Sequence, residues 1–487
     1  MITDTLATIV GAANVVTDDA GRAFYSNDLS YTDVETAVIV VAPGSPEEVA
    51  EVVRVANEAG CPVVARGGGM SYTRTFVPTR PNTVLLDMRR LDKVVEVNTD
   101  DMYVIAEAGV TWEQLYLACA EHGVRTPFWG TLSGRYATVG GALSNNALFF
   151  GSTKYGSAAE SVLGLEVVLA GGKTIRTGSW AHHSGTPFTR YYGPDLTGPF
   201  IADTGSLGIK TRVSLKLVQL PNASVGFAFS VPTFDASNEL TLEIAKLGIA
   251  TEVYGFDPLY NGVFADLGFS FLKGVDWTVF GIVDGANDAI ADAGAALVRD
   301  LAARLGAEEI DPSVPMAVRA DPFGAVRSVL MGPKGEVWMP IHGIFPKSKA
   351  KAAADAAVAY FDSKADLIAK HDIKLSLLTL ASGTDFIFEP SFYWFDELGA
   401  FRLEKIEKEW ADQWKTIPHV AETREVALGM RKELAAIFDE LGAVHLQIGK
   451  WYEFQSQVEP AYAETLLALK RALDPDGLIN PGSLGLA

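Results

Sequence analysis

Arg66-Gly67-Gly68-Gly69-Met70-Ser71-Tyr72 follows the apolar pair Val64-Ala65 and offers the chemistry of a bare backbone. Glycine lets successive N–H groups turn toward one point with no Cβ in the way, so such a loop can wrap a pyrophosphate and bind a nucleotide. Taken alone, the segment also reads as a tight turn between two strands. Acid–base chemistry has its own candidates in three later segments. His342 lies in Trp338-Met339-Pro340-Ile341-His342-Gly343, and Glu389 sits in the aromatic stripe Phe386 to Phe395. His445 and Gln447 lie in Val444-His445-Leu446-Gln447-Ile448-Gly449. Histidine titrates near neutrality and suits a general base. Period-two alternation puts His445, Gln447 and Gly449 on one face of an expected strand, the polar wall of a pocket or a solvent-facing edge.

Three more glycine features come after the first loop. They are Gly134-Arg135-Tyr136-Ala137-Thr138-Val139-Gly140-Gly141-Ala142-Leu143-Ser144-Asn145, then Gly151 to Ser157, then Gly193 to Phe200 leading into Asp203-Thr204-Gly205-Ser206-Leu207-Gly208-Ile209. In order and spacing, all four resemble the flavin-binding domain of the vanillyl-alcohol oxidase family, also known as the p-cresol methylhydroxylase fold. The resemblance covers roughly residues 35 to 220 and returns at Leu473-Asp474-Pro475-Asp476-Gly477-Leu478-Ile479-Asn480-Pro481-Gly482. Several ordered motifs coincide, which makes the combination specific where each alone is weak.

The resemblance implies FAD as cofactor. Arg66, Gly67, Gly68, Gly69, Met70 and Ser71 would grip its pyrophosphate. Thr138, Gly140, Gly141, Ser144 and Asn145 would run beside the ribityl and phosphate portion, with Tyr155 and Gly156 nearby. Gly205, Ser206, Gly208 and Ile209 would approach the adenine side. Many relatives tie the flavin to a histidine in the first loop, where this chain has Met70, which has no nucleophilic nitrogen, and others attach it through a histidine or tyrosine in the C-terminal half. His342, His419 and His445 match no other linkage motif, so the expectation is non-covalent FAD.

The same resemblance implies an FAD-dependent oxidase or dehydrogenase. It would remove a hydride from a C–OH or activated benzylic carbon of a small organic substrate and pass electrons to dioxygen or an electron carrier. The catalytic candidates are His342, His445, Tyr72, Gln447 and Glu389. Tyr72 stands near the place where phenol-oxidising relatives use a tyrosine, although the chain lacks their C-terminal Tyr-Arg pair. An aromatic alcohol or alkylphenol leads, from the aromatics of 386–395. A 2-hydroxy acid is the alternative and would call for an arginine among Arg135, Arg319 and Arg327 to hold its carboxylate. A flavin- or ligand-binding protein without turnover and a nucleotide-sugar reductase are the rivals; the first predicts eroded glycine motifs, the second a nicotinamide site. No metal is expected, since His182-His183 is the only close histidine pair and neighbours on a strand point opposite ways.

The elements that must carry these residues can be read as well. Ser45-Pro46-Glu47-Glu48 and Thr111-Trp112-Glu113-Gln114 are capping boxes that open helices. Strands are expected at 62–66, 84–87, 94–97 and 103–108, and a hairpin at 161–177. Mixed short strands and helices argue for an α+β fold and against a doubly wound Rossmann sheet. After Leu220-Pro221 the glycine motifs stop and longer helical patterns begin, at 288–305, 348–360 and 423–441. The expected division is an FAD-binding domain over 1–220, a substrate or cap domain over 221–442 with a sheet covered by helices, and a returning segment over 443–487.

Composition sets the outer bounds. The chain has 487 residues, 48% of them hydrophobic, and a formal charge of −20. That acidity disfavours nucleic acids and anionic membranes as partners. The N-terminus lacks a basic stretch before an apolar one, and no apolar run nears the ~20 residues of a membrane span, so a cytoplasmic protein is expected. Cys61 and Cys119 are expected to be reduced and buried. Homodimerisation is an expectation of the resemblance alone.

Overall fold

The computed structural model describes residues 2–31 and 34–486. It is a mixed α+β fold built on three main sheets. The first sheet runs Val15–Val16, Ile39–Val41, Val84–Asp87, Val63–Arg66 in spatial order, and its last three strands are parallel. Helix Pro46–Glu58 covers it through Val49, Val52, Val53 and Ala56, all buried. Its cap differs slightly from expectation: Ser45 accepts from the Glu48 N–H, but the Glu48 carboxylate reaches Gly44 N rather than the cap itself. At Thr111 the reciprocal capping box forms in full with Gln114.

The second sheet is five antiparallel strands in the order Val94–Asn98, Tyr103–Glu107, Ile209–Lys216, Val162–Val168, Thr174–Arg176. Residues from the end of the chain return to the first sheet, where Val63 N donates to Leu478 O and Asn480 N to Val63 O.

The third sheet has eight strands drawn from residues 223–394. Alternation along its strands separates two apolar layers. Phe227, Phe229, Val253 and Val279 pack against helices Phe234–Lys246 and Asp288–Arg304. The neighbours Ala228, Tyr254 and Phe280 face the other way, in a cluster with Leu148 and Leu446. This inner face joins the sheet to the glycine-rich part of the chain.

At the sheet's far edge, Val337–Pro340 and Gly343–Phe345 pair antiparallel with Asp385–Trp394. The register is continuous across the break, so Ile341 stands opposite Pro390 and His342 opposite Glu389. Ile341 N donates to Pro390 O, but proline has no N–H to return, and the edge strand is interrupted there. The outward-facing groups of an edge strand need other partners. Here they come from residues 431–452: Arg431 Nε donates to Pro340 O, His445 Nδ1 to His342 O, and Ile344 exchanges bonds with Val444.

Val444 makes only that isolated bridge, and no strand forms over 444–449. Gln447 at φ 54° and Gly449 at φ 60° turn the backbone out of the extended region. The expected common face of His445, Gln447 and Gly449 is therefore absent. Among the described residues no helix is long and apolar enough to cross a membrane. Cys61 and Cys119 are both free and buried.

Candidate functional site

A cleft lies between the glycine segments of the first two sheets. Its walls include Gly67, Gly68, Gly69, Met70 and Ser71 from the first loop, and Thr138, Gly140, Gly141, Ser144 and Asn145 from helix Val139–Asn145 and its cap. Gly205, Gly208 and Ile209 line it too. The glycines are sterically required at two places. A Cβ on Gly68 would lie 1.8 Å from Tyr136 O, and one on Gly67 would lie 2.2 Å from Thr138 Oγ1. Among the described residues, the N–H groups of Gly68, Gly69, Met70 and Ser71 donate to no protein acceptor. A run of free amides along a cleft is a ready cradle for an anionic diphosphate.

Four predicted cofactor residues, Arg66, Ser206, Tyr155 and Gly156, are not among those that line the cleft. The Arg66 side chain turns away from the cleft, 1% exposed, into a cage of Phe24, Tyr25, Phe76 and Phe401. Burial pushes its guanidinium down to about 10. Ser206 is fully buried and donates to Asp203 O. Tyr155 and Gly156 end the short helix Ser152–Tyr155, outside the lining. In their stead the cleft recruits Thr75, Phe76, Thr204, Lys210 and Asn480. Asn480 lies in the C-terminal motif, so a signal for it existed. Lys210 looks in sequence like any alternating strand residue.

Gln447, expected among the catalytic residues, also lines this cleft. His445 does not. Its Nε2 lies 2.6 Å from Asp439 Oδ1, its Nδ1 2.7 Å from His342 O, and its ring stacks on Tyr452 at 3.9 Å. Both nitrogens are engaged in holding the sheet edge, so His445 positions His342.

Directly after the glycine loop, Tyr72, His342 and Glu389 come together. The Tyr72 hydroxyl is 3.2 Å from each ring nitrogen of His342, and His342 Nε2 is 2.6 Å from Glu389 Oε2. His342 N donates to the Tyr452 hydroxyl at 3.2 Å. Burial raises the Tyr72 phenol well above its usual value, with Glu389 and Tyr452 adding and Arg431 opposing. Burial likewise pushes Tyr452 up to about 12, against Arg431 and its backbone bond. Near neutral pH both tyrosines are therefore neutral O–H groups.

Arg431, from helix Ala421–Glu440, is the residue that sequence reasoning missed. It is fully buried, bonds the carbonyls of Pro340 and Tyr72, and lies 3.8 Å over the Trp451 ring. Among the described residues its Nη1 has no partner and no carboxylate pairs with it. Burial lowers its guanidinium to about 10. The three arginines expected for a carboxylate lie apart from this cluster. Arg135 pairs with Glu113, Arg319 with Glu252 and Asp284, and Arg327 stacks on Trp410. His182 and His183 sit on an exposed loop, and among the described residues no group of three His, Cys, Asp or Glu is placed to hold a metal.

Comparison with known proteins adds the following. Residues 37–178 match the model of an FAD binding domain. An FAD-linked oxidoreductase of Mycobacterium tuberculosis is 35% identical over 249 residues, which is 50% of this chain and 52% of that protein. The glycolate oxidase subunit GlcD of Bacillus subtilis is 29% identical over 51% of this chain and 52% of its own length. The chain thus spans about half the length of the curated relatives it matches. Two solved structures share the fold over the whole chain. The 4-ethylphenol oxidase from Gulosibacter chungangensis aligns with a TM-score of 0.76 at 20% identity, covering 100% of this chain and 96% of that one. p-Cresol methylhydroxylase aligns at 0.75 and 18%, with the same coverage.

Proposed function

We propose that this chain, whose residues 37–178 match an FAD binding domain and whose fold is shared with p-cresol methylhydroxylase, is an FAD-dependent oxidoreductase acting on a small organic substrate that presents an anionic or hydrogen-bonding oxygen. Residues 1–220 with 443–487 would hold the cofactor, and 221–442 would cap it. The observation that carries the reading is the Tyr72–His342–Glu389 cluster beside the unpaired charge of Arg431, one residue beyond the free amides of the glycine loop.

In this reading Gly68 to Ser71 hold the diphosphate through backbone amides, and Thr138, Gly140, Gly141 and Asn145 line the rest of the dinucleotide. No histidine, tyrosine or cysteine lines the cleft among the described residues, which supports non-covalent attachment. Bound flavin supplies a hydride acceptor. The chain's own groups do the remainder. Tyr72 and Tyr452 donate hydrogen bonds to the substrate oxygen, and Arg431 supplies the positive charge that favours its deprotonated form. His342 takes the substrate proton through the Tyr72 hydroxyl, and Glu389, on the same rung of the sheet, stabilises the imidazolium that results.

The aromatic surround of this cluster, with Trp338 edge-on to Tyr72 at 5.8 Å, favours an aromatic alcohol or alkylphenol. Arg431 would equally hold the carboxylate of a 2-hydroxy acid, the class to which the glycolate oxidase relative points. Anaerobic mixing with panels of alkylphenols, benzylic alcohols and 2-hydroxy acids separates the two, since only a true substrate bleaches the flavin absorbance. Bleaching by none of the three classes would overturn the proposal.

A further inference from the structure

Among the described residues the cleft wall carries one cation, Lys210, which lies outside the matched FAD binding domain at residues 37–178. It stands second in strand Ile209–Lys216, and its side chain is 2% exposed. Its ammonium donates to Asp203 Oδ1 at 2.7 Å and to Ser144 Oγ at 2.9 Å. An ammonium has three N–H donors, so one is left over, and Lys210 is part of the cleft wall.

The pair is expensive to bury. Two charges taken from water recover their desolvation only with good geometry and with their remaining donors and acceptors satisfied. Asp203 meets that condition, since its carboxylate also accepts from Gly205 N at 3.0 Å. Lys210 does not, until something in the cleft takes its third donor. Ser144 gives the location. Its neighbour Asn145 accepts from Thr75 Oγ1 at 3.1 Å, and Thr75 in turn accepts from Ser71 Oγ at 3.1 Å. Lys210 and the Thr75–Ser71 pair thus bond consecutive residues, Ser144 and Asn145, at the end of one helix, which sets Lys210 on the same cleft wall as Ser71, the end of the run of free amides.

We propose that Lys210 is a direct ligand of the bound dinucleotide, its third N–H donating to a diphosphate oxygen, with Asp203 and Ser144 holding it in place. The assignment rests on the cleft being the FAD site. A diphosphate is favoured over the neutral flavin and adenine ends because it carries the dinucleotide's fixed negative charge, and a buried cation gains most from a charged acceptor. The amides alone would bind FAD through neutral dipoles. Lys210 adds an ionic component that the glycine loop lacks.

The test is the FAD affinity of the full chain, stripped of flavin and titrated with FAD by fluorescence quenching, for wild type, Lys210→Met and Gly141→Leu. Gly141 lines the cleft, and a Cβ there meets nothing nearer than Thr138 Oγ1 at 3.2 Å, so its leucine stands in the cleft without displacing backbone. ADP, which has the diphosphate and no flavin, is run as competitor. Lys210→Met is expected to weaken FAD at least tenfold and ADP by a similar factor, with circular dichroism unchanged. Unchanged FAD affinity in Lys210→Met, or a loss for FAD with none for ADP, overturns the Lys210 assignment alone. Wild-type affinity in Gly141→Leu overturns the placement of FAD in this cleft. If Lys210→Met does not fold, Lys210→Gln is measured in its place under the same criteria.

Discussion

His342 and Glu389 face each other across one rung of the third sheet, with Nε2 2.6 Å from Oε2, although 46 residues separate them in the chain. Cross-strand neighbours of this kind are held by the sheet itself, and His342 is fixed further by Tyr452 and His445 on its backbone. A base so positioned should dominate the rate of substrate oxidation. His342→Asn is expected to slow anaerobic flavin reduction by about 10²–10⁴-fold while FAD stays bound with an unaltered spectrum. Glu389→Gln should fall between that variant and wild type. Reduction by His342→Asn within threefold of wild type would remove His342 from the mechanism.

Arg431 presents a second, separable role. If its charge recognises the substrate oxygen, Arg431→Met should raise KM for the preferred substrate by about 10–100-fold, the scale of a lost charge-assisted hydrogen bond. An uncharged analogue lacking that oxygen should lose nothing. Equal losses for both compounds would mean that Arg431 only supports Pro340 and Tyr72 through their carbonyls. Steady-state kinetics on the substrate and spectral titration of the bound flavin with the analogue, with thermal unfolding as control, distinguish the cases.

What could be read from sequence was local. The glycine loops announced themselves because a Cβ at Gly67 or Gly68 has no space, and the caps at Ser45 and Thr111 because their partners sit three residues away. The alternation of 444–449 misled, since period two is a strand signal only where φ stays extended, and Gln447 leaves that region. His445 was singled out by type and turned out to hold a carbonyl. Arg431 was invisible because an arginine on an amphipathic helix looks like a surface residue, and only the close packing of that helix on the sheet edge buries it. Lys210 escaped for the same reason on a strand.

Attachment of the cofactor gives a third prediction. With Met70 in the first loop and, among the described residues, no nucleophilic ring or thiol in the cleft lining, acid precipitation should release all of the flavin into the supernatant. Yellow colour retained in the pellet would refute non-covalent binding and direct attention to residues beyond the lining.

The last prediction concerns Lys450, which follows the turn at Gly449. Its N–H donates to Thr73 O and its ammonium to Val77 O at 2.5 Å, so it fastens the C-terminal segment to the chain just past the glycine loop. Burial pushes its amine down to about 7 from 10.5, with Arg74 adding and Asp28 opposing. Between those two values the unfolded chain keeps a proton that the folded chain has shed. Stability from this group therefore rises with pH across that window, by at most about 1.4 kcal/mol per unit, and is flat at its least favourable value below about 7. Lys450→Met removes the titration. Relative to wild type it should be most stable at pH 6 and progressively less so at pH 7.5 and 9, in urea unfolding at each pH. A difference that stays constant from pH 6 to 9 would show that the Lys450 amine keeps its proton in the folded protein throughout.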